Sequence, residues 1–542
     1  MSLYYHEAVI INTFAANMRK IIIGTRGSDL ALWQANFTKD TLEKMGYAME
    51  LKIISTEGDR SQQWNTSFDK LEGKGFFTKE IEEALLNKEI DLAVHSHKDL
   101  PTESPEGLMI AGVSEREDPS ELLLIRKEAV DEKQKFNLKK NAVLGTSSSR
   151  RKAQFLSFRD DVEIKELRGN VPTRVKKLRE GQYDAILIAC AGIERLKLDL
   201  EGLHIEKIDP KEFVPAPAQG VLAWQIREND KELEHIVAKI NNEAVQTRIG
   251  VERRILNLFE GGCHMPLGAY CETDTDENER PLFKVWVSKA AEWDKEPLQL
   301  YFEASFAHDL PEKIVERIRS IKPQKVFVTK TFREHDHLPK ALKKLGFEIE
   351  GKSLIEFKEV KIDLLPVTDW IFFSSKHAVK YFFRQKPAIG KVKFGCISKQ
   401  TAAELRQFGH RADFIGQSTD TKLIGKQFSA RAGNSKVLFP IAKESMQSIQ
   451  QQLTKKENAI NLPVYQTLKH PQVIEKNTNI VVFTSPSNVD AFFEKNKWET
   501  PFKAVAMGDA TENALVRKGV KKSAKPASFD DLGLLRAILS LS

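Results

Sequence analysis

Short apolar runs ending on polar turns recur along the first half of the chain, and most are followed by a segment of helical periodicity. "KIIIGT" (20–25) closes on Gly-Thr before "SDLALWQANFTKDTLEKMG", whose serine cap and apolar spacing predict a helix. "NAVLGTSSSRRKAQFLS" (141–157) repeats the arrangement, a strand opening a helix through a serine run. "DLAVHSHKDLP" and "YDAILIACAGIERL" each read as a buried strand followed by a polar turn. Strands alternating with helices predict mixed α/β sheets, and two similar α/β halves facing each other across a cleft are expected. The backbone N–H groups at such helix starts favour anions.

From about Ile240 the pattern changes. A helix ("TRIGVERRILNLFEGG") leads into alternating strands such as "LFKVWVSKA" and a terminal helix ending near Ile321, a third and smaller α+β unit. "KPQ" (322–324) reads as a linker before the strand "KVFVTK". Beyond it lies an internal repeat: "IFFSSKHAVKYFF" (371–383) aligns with "VVFTSPSNVDAFF" (481–493) at an offset of 110, which also carries Thr401 onto Thr511 and Asp420 onto Asp530. Two copies of one α/β unit predict a two-lobed clamp, since a solenoid needs at least three repeats.

Length and composition narrow the class. A chain of 542 residues, 41% hydrophobic and 29% charged, is expected to fold as several globular domains. No apolar run approaches the roughly 20 residues that span a bilayer, and the N-terminal stretch carries Glu7 with no Lys or Arg before it, a poor signal peptide. Cys190, Cys263, Cys271 and Cys396 are too scattered for a disulfide framework, so a cytoplasmic location is expected. A net charge of +7 from 83 basic and 76 acidic residues, without a dense basic block, gives no nucleic-acid footprint.

The arginines cluster at turns. Arg26, Arg150, Arg151, Arg168, Arg174 and Arg195 all sit where strand exits would aim them into a cleft, and arginine forks match carboxylates or phosphates. A Walker loop is absent, which argues against a nucleotide. His95 and His97 lie on one strand without a third ligand, so no metal is expected. Asp99, beside Lys98, is a carboxylate held among cations, able to stabilise a developing positive charge. "GKGFFTKE" (73–80) is a candidate lid with Lys74 reaching an anion. Cys263, in "EGGCHMPLGAY", is open to four readings: a buried hydrophobe, a disulfide partner, a metal ligand with His264 and Cys271, or a nucleophile that holds something covalently.

"GTRGSDLALWQA", "GKGFFTKEIEEALL", "DLAVHSHKDLP", "EREDP", "GTSSSRR", "LRGNVPTR", "AGIERL", "PAPAQG" and "EGGCHMPLGAY" follow one another in the order found in hydroxymethylbilane synthase, also called porphobilinogen deaminase, and residues 19 to 320 closely resemble that family. The resemblance implies a periplasmic-binding-protein-like pair of α/β domains, 19–114 with 215–240 and 115–214, and a third domain, 241–321, after an extension, 1–18. It implies a dipyrromethane cofactor held by a thioether to Cys263, Asp99 as the catalytic carboxylate, and condensation of four porphobilinogens with loss of ammonia. Cofactor binding carries over to Arg26, Ser28, Lys98, Thr146, Ser148, Arg150, Arg151, Arg168 and Gly169, and substrate binding to Arg26, Lys74, Arg168, Arg174 and Arg195. His97, Ser149 and His264 depart from the residues commoner in the family.

Residues 325 to 542 resemble uroporphyrinogen-III synthase through "FTSPSNV", "NLPVYQT", "MGDATENAL" and the two-copy layout. The fold implied is two flavodoxin-like lobes joined by a strand pair, 325–360 with 468–542 and 361–467. Ser375, Thr401, Ser485 and Thr511 are candidates for binding the carboxylates of hydroxymethylbilane, with helix capping as the competing role, and Tyr465 matches a tyrosine implicated in loss of the terminal hydroxyl. A monomeric bifunctional enzyme acting on small molecules is expected. A polycarboxylate-binding protein, or a deaminase with a product-binding C-terminal region, are the alternatives.

Overall fold

The computed structural model describes residues 19–56, 78–261, 265–276, 278–418, 420–445, 447–498 and 502–542. The extension 1–18, Lys74, Cys263 and His264 lie outside the described residues. Ile21–Thr25 (β1), Asp29–Glu43 (α1), Met49–Ile53 (β2), Lys79–Leu86 (α2), Leu92–Ser96 (β3) and Leu108–Val113 (β4) begin the chain. Glu121–Arg126 (β5), Val143–Gly145 (β6), Ser149–Phe158 (α3), Glu163–Lys165 (β7), Val171–Arg179 (α4), Ala185–Ala189 (β8), Cys190–Leu196 (α5) and Leu203–Ile208 (β9) follow, and Leu222–Arg227 (β10) returns to the first sheet.

The two sheets share one plan, β2-β1-β3-β10-β4 and β7-β6-β8-β5-β9. In each, three parallel strands are followed by an antiparallel strand that arrives from the other unit, β10 in the first and β5 in the second. Strand order reverses between β1 and β3, and again between β6 and β8, and a crevice opens outside strand ends at such switch points.

Lys231–Ala238 (α6) and Glu243–Leu258 (α7) lead to an antiparallel sheet of Leu267–Thr275 (β11), Pro281–Lys289 (β12) and Leu298–Ala304 (β13), closed by Leu310–Ser320 (α8). Alternation puts Ala269, Val285, Val287 and Leu300 on the face that packs with Ile255 of α7 and Ile314 of α8.

The remaining elements are Lys325–Val328 (β14), His337–Lys344 (α9), Glu348–Gly351 (β15), Ile355–Glu359 (β16), Trp370–Phe373 (β17), Lys376–Arg384 (α10), Lys393–Cys396 (β18), Lys399–Gln407 (α11), Phe414–Ile415 (β19), Thr421–Ala432 (α12), Val437–Ala442 (β20), Ala459–Lys469 (β21), Ile480–Phe483 (β22), Pro486–Phe493 (α13), Lys503–Ala506 (β23), Asp509–Arg517 (α14), Ser523–Ala524 (β24) and Asp531–Leu541 (α15). They form two sheets, β15-β14-β22-β23-β24 and β16-β21-β20-β17-β18-β19. The repeat is physical: β17, α10, β18, α11 and α12 recur 110 residues later as β22, α13, β23, α14 and α15.

The two halves of the chain are packed together, not merely tethered at 322–324. α15 lies along β13, the edge strand of the three-stranded sheet, and also against α9, β23 and β24. One continuous apolar core therefore joins Val285, Leu300 and Ile314 to Val328, Val482, Leu535 and Ile538. Among the described residues no helix is long and apolar enough to cross a membrane.

Candidate functional site

An open cleft of about 1370 Å³, part of it open solvent, lies at the two switch points. Arg26 and Ser28 reach it from the turn after β1, Lys98 and Asp99 from the short 3-10 turn after β3, and Ser148, Arg150 and Arg151 from the turn and helix after β6. Gly169, Asn170 and Arg174 complete this wall at the start of α4, while Arg195 of α5 lines a recess beside it with Lys98, Arg151 and Arg174.

Three helices point their N-termini at this space, because each begins where a strand exit turns. Ser28 accepts a hydrogen bond from the Ala31 amide (3.4 Å), Ser148 from the Arg151 amide (3.4 Å) and Asn170 from the Thr173 amide (3.0 Å), capping α1, α3 and α4. Their partial positive charges add to those of the arginines, so the cleft is built for a polyanion. Gly169 takes φ +112°, and a Cβ there would lie 2.7 Å from Thr173 Cγ2, so glycine alone fits the approach to α4.

Holding this many cations together needs a counter-charge, and Glu121 supplies it. The residue is fully buried at the start of β5 and accepts from Arg150 Nη2 (2.6 Å) and Arg151 Nη2 (2.7 Å). Burial alone would raise its carboxyl, but Arg151 and Arg150 outweigh that and hold it at about 2. Burial pulls Lys98 down from the usual ammonium range, with Asp99 opposing, and brings Arg174 to about 10, with Arg151 adding repulsion and Asp99 opposing. Asp99 is thus the carboxylate that Lys98 and Arg174 both feel inside the cleft. Glu121 was not among the residues singled out from sequence, although a charge opening the apolar run "ELLLI" is a visible signal. Arg116 of "EREDP" is a second such case: it pairs with buried Glu252 (2.6 Å), which also accepts from the Ala218 and Cys271 amides and so ties the chain just before β10 to α7 and β11.

Some expected residues stand apart. Thr146 is buried beneath the cleft and accepts from the Ser148 amide (3.3 Å), and Arg168 is half-buried outside the lining, its carbonyl accepting from Lys177 (3.1 Å). His95 is buried beside Gln225, Nε2 to Oε1 3.1 Å, and burial lowers it to about 4, a neutral core histidine.

In the C-terminal half, Tyr465 of β21 and Ser375, the cap of α10, come together with Oη and Oγ 3.2 Å apart. Tyr381 stacks on the tyrosine ring (centroids 5.5 Å) and Phe357 meets it edge-on, and burial raises the phenol above its usual range. Lys376, next to Ser375 at the start of α10, is lowered by burial and by Arg333 and Lys330; it was not singled out from sequence. Ser485 caps α13, accepting from the Asn488 amide (3.3 Å), whereas Thr401 and Thr511 are buried in the first turns of α11 and α14, with Ser398 as the cap of α11.

Residues 21–235 match the family described as porphobilinogen deaminase, dipyromethane cofactor binding domain, and residues 312–536 match uroporphyrinogen-III synthase HemD. The second match begins inside α8, ahead of the linker at 322–324. The porphobilinogen deaminase of Oceanobacillus iheyensis is 46% identical over 262 residues, 48% of this chain and 82% of that protein. That of Sulfurimonas denitrificans is 46% identical over 254 residues, 46% of this chain and 79% of that protein. The solved uroporphyrinogen-III synthetase of Helicobacter pylori 26695 aligns with a TM-score of 0.31 at 19% identity, over 40% of this chain and all of that one. The arginine-lined cleft, the family match over 21–235 and a relative 46% identical over 262 residues agree: the chain belongs to the porphobilinogen deaminase family and continues into a uroporphyrinogen-III synthase domain, a bifunctional enzyme of tetrapyrrole biosynthesis.

Proposed function

We propose that the chain condenses four porphobilinogens into hydroxymethylbilane in the cleft between the first two sheets, and closes that product to uroporphyrinogen III in its C-terminal half. The observation that carries the reading is the junction of Asp99, Lys98, Arg150, Arg151 and Arg174 with three helix N-termini in one cleft. Each pyrrole brings an acetate and a propionate, so a growing chain needs this density of fixed cations. The donor set fits a dipyrromethane for the same reason; bound, that group offers a free pyrrole carbon from which the chain grows. We assign its attachment to Cys263 by thioether, and its carboxylates to Arg26, Ser28, Lys98, Ser148, Arg150, Arg151 and Gly169, with Thr146 beneath this lining and Arg168 beside it as supporting groups. Arg26, Arg168, Arg174, Arg195 and Lys74 take the incoming substrate.

Porphobilinogen reacts by breaking its aminomethyl C–N bond; nitrogen leaves as ammonia and the ring is left as a cation. We assign to Asp99, which lines the cleft beside Lys98 and Arg174, the role of accepting the pyrrole N–H and offsetting that charge. In the second half, Tyr465 is a buried phenol beside Ser375, suited to donating a proton to the departing hydroxyl, with Ser375, Ser485 and Lys376 receiving carboxylates and Thr401 and Thr511 supporting the turns from beneath.

The domain limits that go with this reading are 19–114 with 215–240, 115–214 and 241–321, then 325–360 with 468–542 and 361–467. The paired sheets of one plan support a periplasmic-binding-protein-like deaminase. The chain order 2-1-3-4-5 of β15-β14-β22-β23-β24 supports a flavodoxin-like first synthase lobe, whereas the parallel strands of the other sheet run 3-2-1-4-5. A cytoplasmic monomer acting on small molecules completes the proposal.

The test is the product. Intact protein given porphobilinogen should release mainly uroporphyrinogen III, and its mass should exceed the sequence mass by one dipyrrole that Cys263→Ser lacks. Tyr465→Phe should leave porphobilinogen consumption unchanged and shift the product toward isomer I. Isomer I alone from the intact chain would leave a deaminase with a product-binding C-terminal region.

A further inference from the structure

We propose that the synthase half is a positioning element of the deaminase: through Arg536 and His337 it grips the two segments that hold Arg150 at the cleft. Arg150 stands between its own helix, α3, and the crossing segment 209–217. Its Nη1 donates to the Val214 carbonyl (2.9 Å), and Gln154, one turn on, both donates to that carbonyl (2.9 Å) and accepts from the Val214 amide (2.7 Å). The place of the guanidinium thus depends on how helix and segment lie against each other.

Each of the two is anchored from the other half of the chain. At the far end of α3, the His337 ring of α9 stacks on Phe158 with centroids 5.0 Å apart and planes 19° apart, and its Nε2 lies 3.1 Å from Ser157 Oγ. Lys344, at the end of the same helix, approaches Asp160 (3.7 Å) and Glu296 (3.6 Å). On the crossing segment, Arg536 Nη2 of α15 donates to the Lys211 carbonyl (2.6 Å), three residues before Val214.

The internal repeat shows that the synthase fold does not itself require Arg536. Its counterpart 110 residues earlier, Lys426 on α12, is exposed to solvent, whereas Arg536 is 5% exposed because the deaminase covers that face of α15. Burying a guanidinium costs several kcal/mol unless it is well partnered, and burial lowers this one to about 10, so a cation here is a liability for packing alone. Its directed bond runs to the deaminase backbone, and a fixed point two peptide units from the Val214 amide limits the drift of the crossing segment.

The inference rests on reading Arg150 as a carboxylate-binding group. Arg536→Met in the full chain keeps the side-chain volume and removes the bond to Lys211; His337→Ala removes the other grip. Each should lower kcat/KM for porphobilinogen about tenfold, the scale of a sub-ångström misplacement, and reduce the fraction of chains carrying the dipyrrole by intact mass. Both should leave closure of supplied hydroxymethylbilane within about twofold, and Arg536→Lys, which can still donate to Lys211, should recover most of the loss. Unchanged kcat/KM and loading in both variants would overturn the proposal, as would a parallel fall of both activities with the melting temperature. Arg150→Ala run alongside separates the two readings: if it loads and turns over normally, the role of Arg150 is wrong; if it is crippled while Arg536→Met and His337→Ala are normal, the coupling is wrong.

Discussion

Glu121 is the residue on which the deaminase cleft turns, because one carboxylate separates Arg150 from Arg151 and is shared by both. Replacing it with Gln leaves buried cations without a counter-charge, and removing one partner of such a group costs about 3–5 kcal/mol. The pH dependence has a definite sign. A carboxyl held at about 2 against an ordinary 4.5 contributes stability that is full above about 4.5 and is lost as pH falls through about 2. Denaturation midpoints of wild type and Glu121→Gln should therefore differ most at neutral pH and converge as the pH is lowered across that window; a gap that persists at low pH would mean that packing, not charge, sets the loss.

Among the elements, α15 departs furthest from its repeat partner. In α12 the buried positions, Ile424, Gly425, Phe428, Ser429 and Ala432, form one stripe, as in a surface helix. In α15 every residue from Leu532 to Leu539 is buried, since β13 covers one side and the synthase lobe the other. Leu535→Ala should cost about 2–5 kcal/mol through the cavity it leaves. Because Leu535 belongs to a core shared by both halves, calorimetry should show the deaminase and synthase transitions shifting together; a shift in one alone would make the shared core energetically inert.

At the scale of the molecule, the connection at 322–324 has less to do with proximity than the interface does. Cutting the full chain at a protease site placed in this linker should leave two fragments that co-elute in gel filtration, even at high salt, since buried apolar surface is not screened as surface charge is. Separation of the fragments at micromolar concentration would show that the linker, not the core, holds the halves together.

What the sequence by itself determined was local and periodic: strands that close on Gly-Thr turns, helices that open on serine caps, and a repeat with an offset of 110 residues, because backbone geometry and capping depend on neighbours a few positions away. The clustering of Arg26, Lys98, Asp99, Arg150, Arg151 and Arg174 was legible too, through strand exits that the βαβ order brings to one edge. Glu121 as the shared counter-ion, Thr401 and Thr511 as buried turn residues, and Arg536 as a bond between two enzymes were decided only by the tertiary structure. Each depends on which surface meets which across 30 to 325 residues of intervening chain, and burial and charge pairing at such separations leave no periodic trace in the sequence.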